Sequence, residues 1–155
     1  MIKFMVDRAA DIEPEVAERY DIRVLPFMIM LDGESIVAGK DFDVQEFYEK
    51  VRKSESVPTT SQMSPEDVEQ MFREIGKENQ IIYVSISANG SGINNTANMV
   101  ANQLIEEEGF DITVINSEMY TMVIGYPVIV AAEMAKSGAG KQEICLLYTS
   151  DAADE

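Results

Sequence analysis

The sequence predicts an α/β domain, a mostly parallel sheet with helices on both faces. Three observations lead there. Short runs of β-branched and large apolar residues alternate with longer segments of helical periodicity. Most of those short runs are continuously apolar, as strands buried on both faces should be. The chain has 155 residues and is 46% hydrophobic, enough for one domain with a core.

Ile2 to Val6 reads as the first buried strand. Asp7 to Asp11 follows as a loop, and Pro14 opens a helix running to about Tyr20. Ile22 to Leu31 reads as one strand. Asp32-Gly33 is a turn, with Ser35-Ile36-Val37 returning as a short strand. Asp43, with Glu46 three residues on, starts a helix whose apolar positions are Val44, Phe47, Tyr48 and Val51. Val57-Pro58 ends it, and Thr59 to Gln62 reads as a loop. Ser64, Pro65 and Asp67 mark the next helix start. Val68, Met71, Phe72 and Ile75 form its apolar face, and Gly76 stops it.

Gln80 to Ile86 is a strand by composition, and Ser87 to Gly92 is a polar, glycine-bearing link. A helix then runs to about Glu108, with Ile93, Ala97, Val100, Ala101, Leu104 and Ile105 on one face and Gly109 as its stop. Phe110 to Ile115 is the next strand. Met119 to Ser137 is largely helical, with Pro127 either starting a helix or kinking one. Strands alternating with helices of this length give parallel pairing.

The charge balance excludes several classes of function. Twelve basic residues face 28 acidic ones, a formal net charge of −16. That field repels nucleic acid and disfavours anionic membrane surfaces. The longest apolar run, Val24 to Leu31, contains Pro26 and falls far short of the roughly 20 residues that span a bilayer, so no membrane insertion is expected. The apolar stretch before Asp7 is too brief for a signal peptide, and the expected location is the cytoplasm. There is no histidine, which removes the Ser-His and Cys-His dyads. The single cysteine, Cys145, makes no internal disulfide, and no Cys/His cluster offers a zinc site.

Ligands of such sheets sit at the carboxyl ends of strands, which selects Asp7 to Asp11, Ser87 to Gly92 and Asn116 to Met119. In the second segment Ser91 can cap a helix, while Gly90 and Gly92 allow close backbone approach. It is neither a dinucleotide fingerprint nor a Walker loop. Thr59, Thr60 and Ser61 offer hydroxyl donors just ahead of a helix whose first N–H groups attract anions. Both segments read equally as ordinary capped turns, and their residues alone leave that open. Asp7 and Asp11 are candidates for a metal or phosphoryl-acceptor pair, although such residues are more often turns and caps. Ser117 is a nucleophile without a base.

Taken in order, these segments resemble the N-terminal half of the DegV family of bacterial fatty-acid-binding proteins. Val6-Asp7-Arg8-Ala9-Ala10-Asp11-Ile12 is similar to that family's opening V-T-D-S-T-A-D motif. Pro58 to Pro65 matches P-T-T-S-Q-P-S-P except at Met63. Ser85 to Gly92 is similar to I-S-S-x-L-S-G-T, and Val114 to Ser117 to V-I-D-S. The resemblance runs from about residue 2 to 144. It implies a fatty acid in a tunnel between two domains, its carboxylate held by Thr60, with Thr59 and Ser61 adjacent, and by the Ser87-Ala88 pair, with Ser91 nearby. It implies a non-catalytic carrier without a cofactor, presenting a long-chain fatty acid to a separate fatty acid kinase. Three departures stand out. Ala88 replaces the second serine, Ile93 the threonine after the glycine, and Asn116 the aspartate before Ser117. Each is expected to weaken a polar contact.

The expected domain organisation is a DegV-like N-terminal α/β domain over residues 1–144, without the family's second domain. Residues 145–155 are read as a non-native tail, since nothing after Ile144 continues a helical pattern. Two alternatives to a carrier remain from the residues. One is a phosphoryl-transfer enzyme using Asp7 and Asp11, and the other is an inactive fragment.

Overall fold

A computed structural model of the chain describes residues 1–147. Its elements run β1 (Ile2–Asp7), a 3-10 turn (Arg8–Ala10), α1 (Pro14–Tyr20), β2 (Ile22–Leu25), β3 (Met28–Leu31), β4 (Glu34–Val37) and α2 (Val44–Lys53). Then come β5 (Thr59–Ser61), α3 (Pro65–Ile75), β6 (Gln80–Ser85), α4 (Ile93–Glu108), β7 (Asp111–Asn116), α5 (Met122–Lys136) and α6 (Lys141–Leu146). The main sheet is parallel throughout, in the order β2-β1-β6-β7. A second, antiparallel sheet has the order β4-β3-β5.

Side chains alternate across the main sheet and divide the core in two. Phe4 and Val6 of β1, with Ile82 and Val84 of β6, pack beneath α1, α5 and α6. Met5, Ile81 and Tyr83 point the other way, beneath α3 and α4. There the Phe72 ring meets Tyr83 edge-on, with centroids 6.2 Å apart. Both faces of the sheet are therefore covered, as the continuous apolar strands require. No helix among the described residues is long and apolar enough to cross a membrane.

Local chemistry fixes many boundaries. The Ser64 hydroxyl accepts the Asp67 N–H while the Asp67 carboxylate accepts the Ser64 N–H, a complete capping box. Asp43 caps α2 through the N–H groups of Gln45 and Glu46. Asp32 and Gly33 both have positive φ, which the tight β3–β4 hairpin demands.

The structure differs from the sequence expectation at four places. The run from Ile22 to Leu31 is two strands in two sheets. Pro26 has no N–H to give a ladder, and the chain leaves the parallel sheet there. Thr59 to Ser61 is a strand, pairing Thr60 with Ile29. Two β-branched residues after a proline favour extended backbone, and β3 supplies the ladder. Ile105 points outward at 38% exposure, while polar Asn94 is buried. Asn94 is tolerated because its amide donates to Ser85 Oγ at 2.8 Å. Pro127 lies inside α5 and not at its start, one of the two positions the sequence allowed, and its missing N–H removes the usual intrahelical bond to the Val123 carbonyl. Finally, α6 takes in Cys145 and Leu146, and Cys145 packs against the core. The rest of the expected tail, residues 148–155, lies outside the described residues.

The contact between α5 and the 3-10 turn depends on Gly125. A Cβ there would stand 2.5 Å from the Ala10 carbonyl oxygen and 2.9 Å from Ile12 Cγ1. In an unobstructed helix interior, Gly→Ala stabilises by about 0.5–1 kcal/mol. Here the sign should reverse, with Gly125→Ala costing about 1–3 kcal/mol through overpacking. Urea denaturation checks it, and a more stable variant would refute the close approach.

Candidate functional site

The site grows from the two central strands. β1 leads through α1 to β2 on one side, and β6 leads through α4 to β7 on the other. These helices cover opposite faces, so the chain parts between the carboxyl ends of β1 and β6. A crevice forms at such a switch point. Asp7 stands in it, only 5% exposed. Its Oδ2 accepts the Ile86 N–H at 2.7 Å and the Tyr83 hydroxyl at 3.4 Å, and its Oδ1 accepts the Ala9 N–H at 3.1 Å. Burial raises the Asp7 carboxyl above its ordinary range, against the pull of these donors. Tyr83 is pushed upward too, by burial and by the neighbouring Asp7.

A cavity of about 390 Å³ opens above this junction. Thr60, Ser61 and Gln62 from β5 and its end form one side, and the Gly90-Ser91-Gly92 turn forms another. Pro26, Phe27, Met63, Ile86 and Ile93 supply apolar wall. The two sides are tied together by Gln62, whose Nε2 donates to Thr96 Oγ1 at 2.9 Å on the first turn of α4. Gly92 makes room for that reach, since a Cβ there would lie 2.6 Å from Gln62 Oε1. The carboxyl ends of the parallel strands and the small antiparallel sheet thus share one cavity.

The candidates from the sequence fall into two groups. Thr60, Ser61 and Ser91 line the cavity together. Thr59, Ser87 and Ala88 are not on its wall. Thr59 is exposed at the start of β5. Ser87 is 2% exposed, and its hydroxyl accepts the Asn89 N–H within the turn at 3.3 Å. The Ala88 N–H donates to Asn116 Oδ1 at 3.0 Å. That same oxygen accepts the Glu118 N–H at 3.3 Å, so Asn116 keeps the acceptor function expected of an aspartate there. Ser91 does not cap α4 as expected. The cap is Gly92, already in helical conformation, and Ser91 Oγ accepts the Ile93 N–H at 3.3 Å from one position earlier.

Asp7 and Asp11 do not converge. Asp11 is exposed in a left-handed conformation, closing the 3-10 turn. The Ser117 hydroxyl accepts the Met119 N–H at 3.1 Å, a turn contact. Among the described residues no group of three or more His, Cys, Asp or Glu is arranged to hold a metal. Sequence reasoning missed Gln62 as the tie between the two sides, whereas Asp7, at the carboxyl end of β1, lies in a segment the strand-end rule selected and does line the cavity. Gln62 lay inside a quoted motif, but its partner Thr96 is 34 residues away.

The cavity can hold a polar head beside an apolar chain. Thr60, Ser61 and Ser91 bring hydroxyl-bearing side chains to its lining. The N–H groups of Asn94 and Asn95, in the first turn of α4, have no acceptor among the described residues. They stand at the positive end of the helix dipole. The lining contains no lysine or arginine. A head group is therefore met by neutral donors rather than by an ion pair.

Comparison with known proteins gives a consistent set of relatives. The model of the DegV family, described as an uncharacterised protein, matches residues 1–147. A DegV domain-containing protein of Caldanaerobacter subterraneus subsp. tengcongensis is 33% identical over 144 residues, covering 92% of this chain and 50% of that protein. A solved DegV family protein from Thermus thermophilus, described for its fatty acid binding, aligns with a TM-score of 0.83 at 27% identity, over 96% of this chain and 52% of its own. A Thermotoga maritima structure described as revealing a fatty acid binding function gives a TM-score of 0.84 at 27% identity, over 96% of this chain and 54% of its own. The chain spans about half the length of these relatives.

The Asp7 junction sets a stability expectation. Asp7→Asn replaces one acceptor by a donor facing N–H groups, which should cost about 1–3 kcal/mol. The folded-state pKa of Asp7 is raised. Its contribution to stability is therefore full below the ordinary carboxyl pKa and falls as pH rises through the elevated value. The deficit of Asp7→Asn relative to the parent should be larger at mildly acidic than at neutral pH. Paired urea titrations check this, and a deficit that grows with pH would contradict it.

Proposed function

The chain belongs to the DegV family, and on that premise we propose that it is the N-terminal part of a fatty-acid carrier. It holds the acyl carboxylate and presents it to a separate fatty acid kinase. One observation carries the reading. Three hydroxyl-bearing residues and the start of α4 line a cavity whose remaining wall is largely apolar. That is the chemistry of an amphipathic acid, with a head that accepts hydrogen bonds and a tail that avoids water.

In this reading Thr60, Ser61 and Ser91 contact the head group. Thr59 anchors β5, and Ser87 and Ala88 shape the turn behind it. The apolar residues Phe27, Met63, Ile86 and Ile93 begin the path of the acyl chain. Ile93, where the resembling motif has threonine, is 3% exposed and adds to that wall. A second domain supplies the facing wall of the tunnel. In this reading the phosphoryl transfer falls to the kinase, and the carrier works in the cytoplasm without a cofactor.

Native mass spectrometry of the full-length protein expressed in bacteria should show a co-purifying long-chain fatty acid. The double variant Thr60→Ala/Ser61→Ala loses at least one hydrogen bond to a charged group, worth about 1.5–3 kcal/mol, so its affinity should fall about 10- to 150-fold. The absence of any acyl ligand, with no uptake of added palmitic acid, would refute the carrier reading.

A further inference from the structure

The small sheet ends at the cavity, and it ends on an unmatched donor. β3 and β5 pair Met28 with Ser61, and carrying the same register two residues further sets Pro26 opposite Met63. Pro26 has no N–H to give, and there the chain crosses from one sheet to the other. No bond joins the two residues, and the Met63 N–H has no acceptor among the described residues. Both residues line the cavity, together with Thr60, Ser61 and Ser91. The open end of the ladder is thus part of the cavity wall.

The groups on either side of this N–H are already committed. The Gln62 amide donates to Thr96 Oγ1. The Ser64 N–H and hydroxyl both donate to the Asp67 carboxylate in the capping box. The Met63 side chain packs against the core beneath α3 and α4. The peptide of Met63 is therefore held in place from both sides, and its N–H is the donor left over. Position 63 is also where this chain departs from the motif it resembles. That motif has proline, which carries no N–H.

A backbone donor on a cavity wall must meet water or an acceptor. An acyl ligand takes the water away, and an N–H left dry weakens binding unless the ligand answers it. The oxygens of its carboxylate are the acceptors that a fatty acid brings. This step rests on the carrier reading, and on it we propose that the backbone N–H of Met63 donates a hydrogen bond to the bound head group. The bond is charge-assisted, so it favours a carboxylate over a neutral head of the same length. A backbone donor suits this task. It is fixed by the fold before the ligand arrives, and among substitutions only proline removes it.

The test uses the delipidated full-length protein, labelled with heavy nitrogen at methionine, and dodecanoic acid kept monomeric. Titration should move the Met63 amide proton downfield, and dodecan-1-ol should move it less. Met63→Pro should weaken dodecanoic acid binding about 10- to 150-fold, the loss of one hydrogen bond to a charged group, and should weaken dodecan-1-ol binding less. Its urea midpoint should match the parent's, since that N–H serves no bond among the described residues. Met63→Leu keeps the N–H and most of the apolar volume, and should bind as the parent does. An amide that does not move, a folded Met63→Pro that binds as tightly as the parent, or an equal loss in Met63→Leu overturns the inference and leaves the carrier reading standing. Should Met63→Pro fail to fold, the amide shift in the parent decides alone. No binding of dodecanoic or palmitic acid overturns both.

Discussion

The carboxylate of Asp7 joins the ends of the two strands on which the rest of the fold is hung. β1 and β6 are the inner strands of the parallel sheet, and beyond them the chain turns to opposite faces. Strand ends that diverge leave backbone N–H groups unpaired in a buried place, which is costly unless something accepts them. Asp7 accepts one from each departing segment, Ala9 after β1 and Ile86 after β6. The same bonds hold the switch point open as a crevice, because a short acid spans the gap that a continued ladder would have closed. Burying a charge opposes folding, and its donors offset that cost. Architecture and site thus rest on one residue, and changing it should disturb both.

Much of this architecture was legible because it is local. The capping box at Ser64 and Asp67, the Asp32-Gly33 turn and the buried face of α3 are written within a few residues of each other. Relations that cross long stretches of chain were not legible. Three residues of β5 carry too short a pattern to declare a strand, and their partner β3 is hidden inside an apolar run that reads as one strand. The outward turn of Ile105 and the burial of Asn94 follow from how α4 sits on the sheet. Its amide meets Ser85, nine residues back. At the cavity, the hydroxyl loop and the Ser91 turn were singled out by residue type, but the tie between them depends on Gln62 reaching Thr96. Ser87 and Ala88 carried the right motif and stand behind the cavity wall, because the turn uses Ser87 to satisfy its own backbone.

A site made of neutral donors suits the charge of this chain. With a net charge of −16, a lone cation in the crevice would have many carboxylates to pair with. Arg73 shows the outcome elsewhere, bound to both Glu69 and Glu108. Hydroxyls and helix N–H groups cannot be captured in that way. In the proposed carrier their strength would lie in being fixed before the ligand arrives, with little ordering left to oppose binding. The β3–β5 ladder fixes the hydroxyl segment, and Gln62 fixes it against α4.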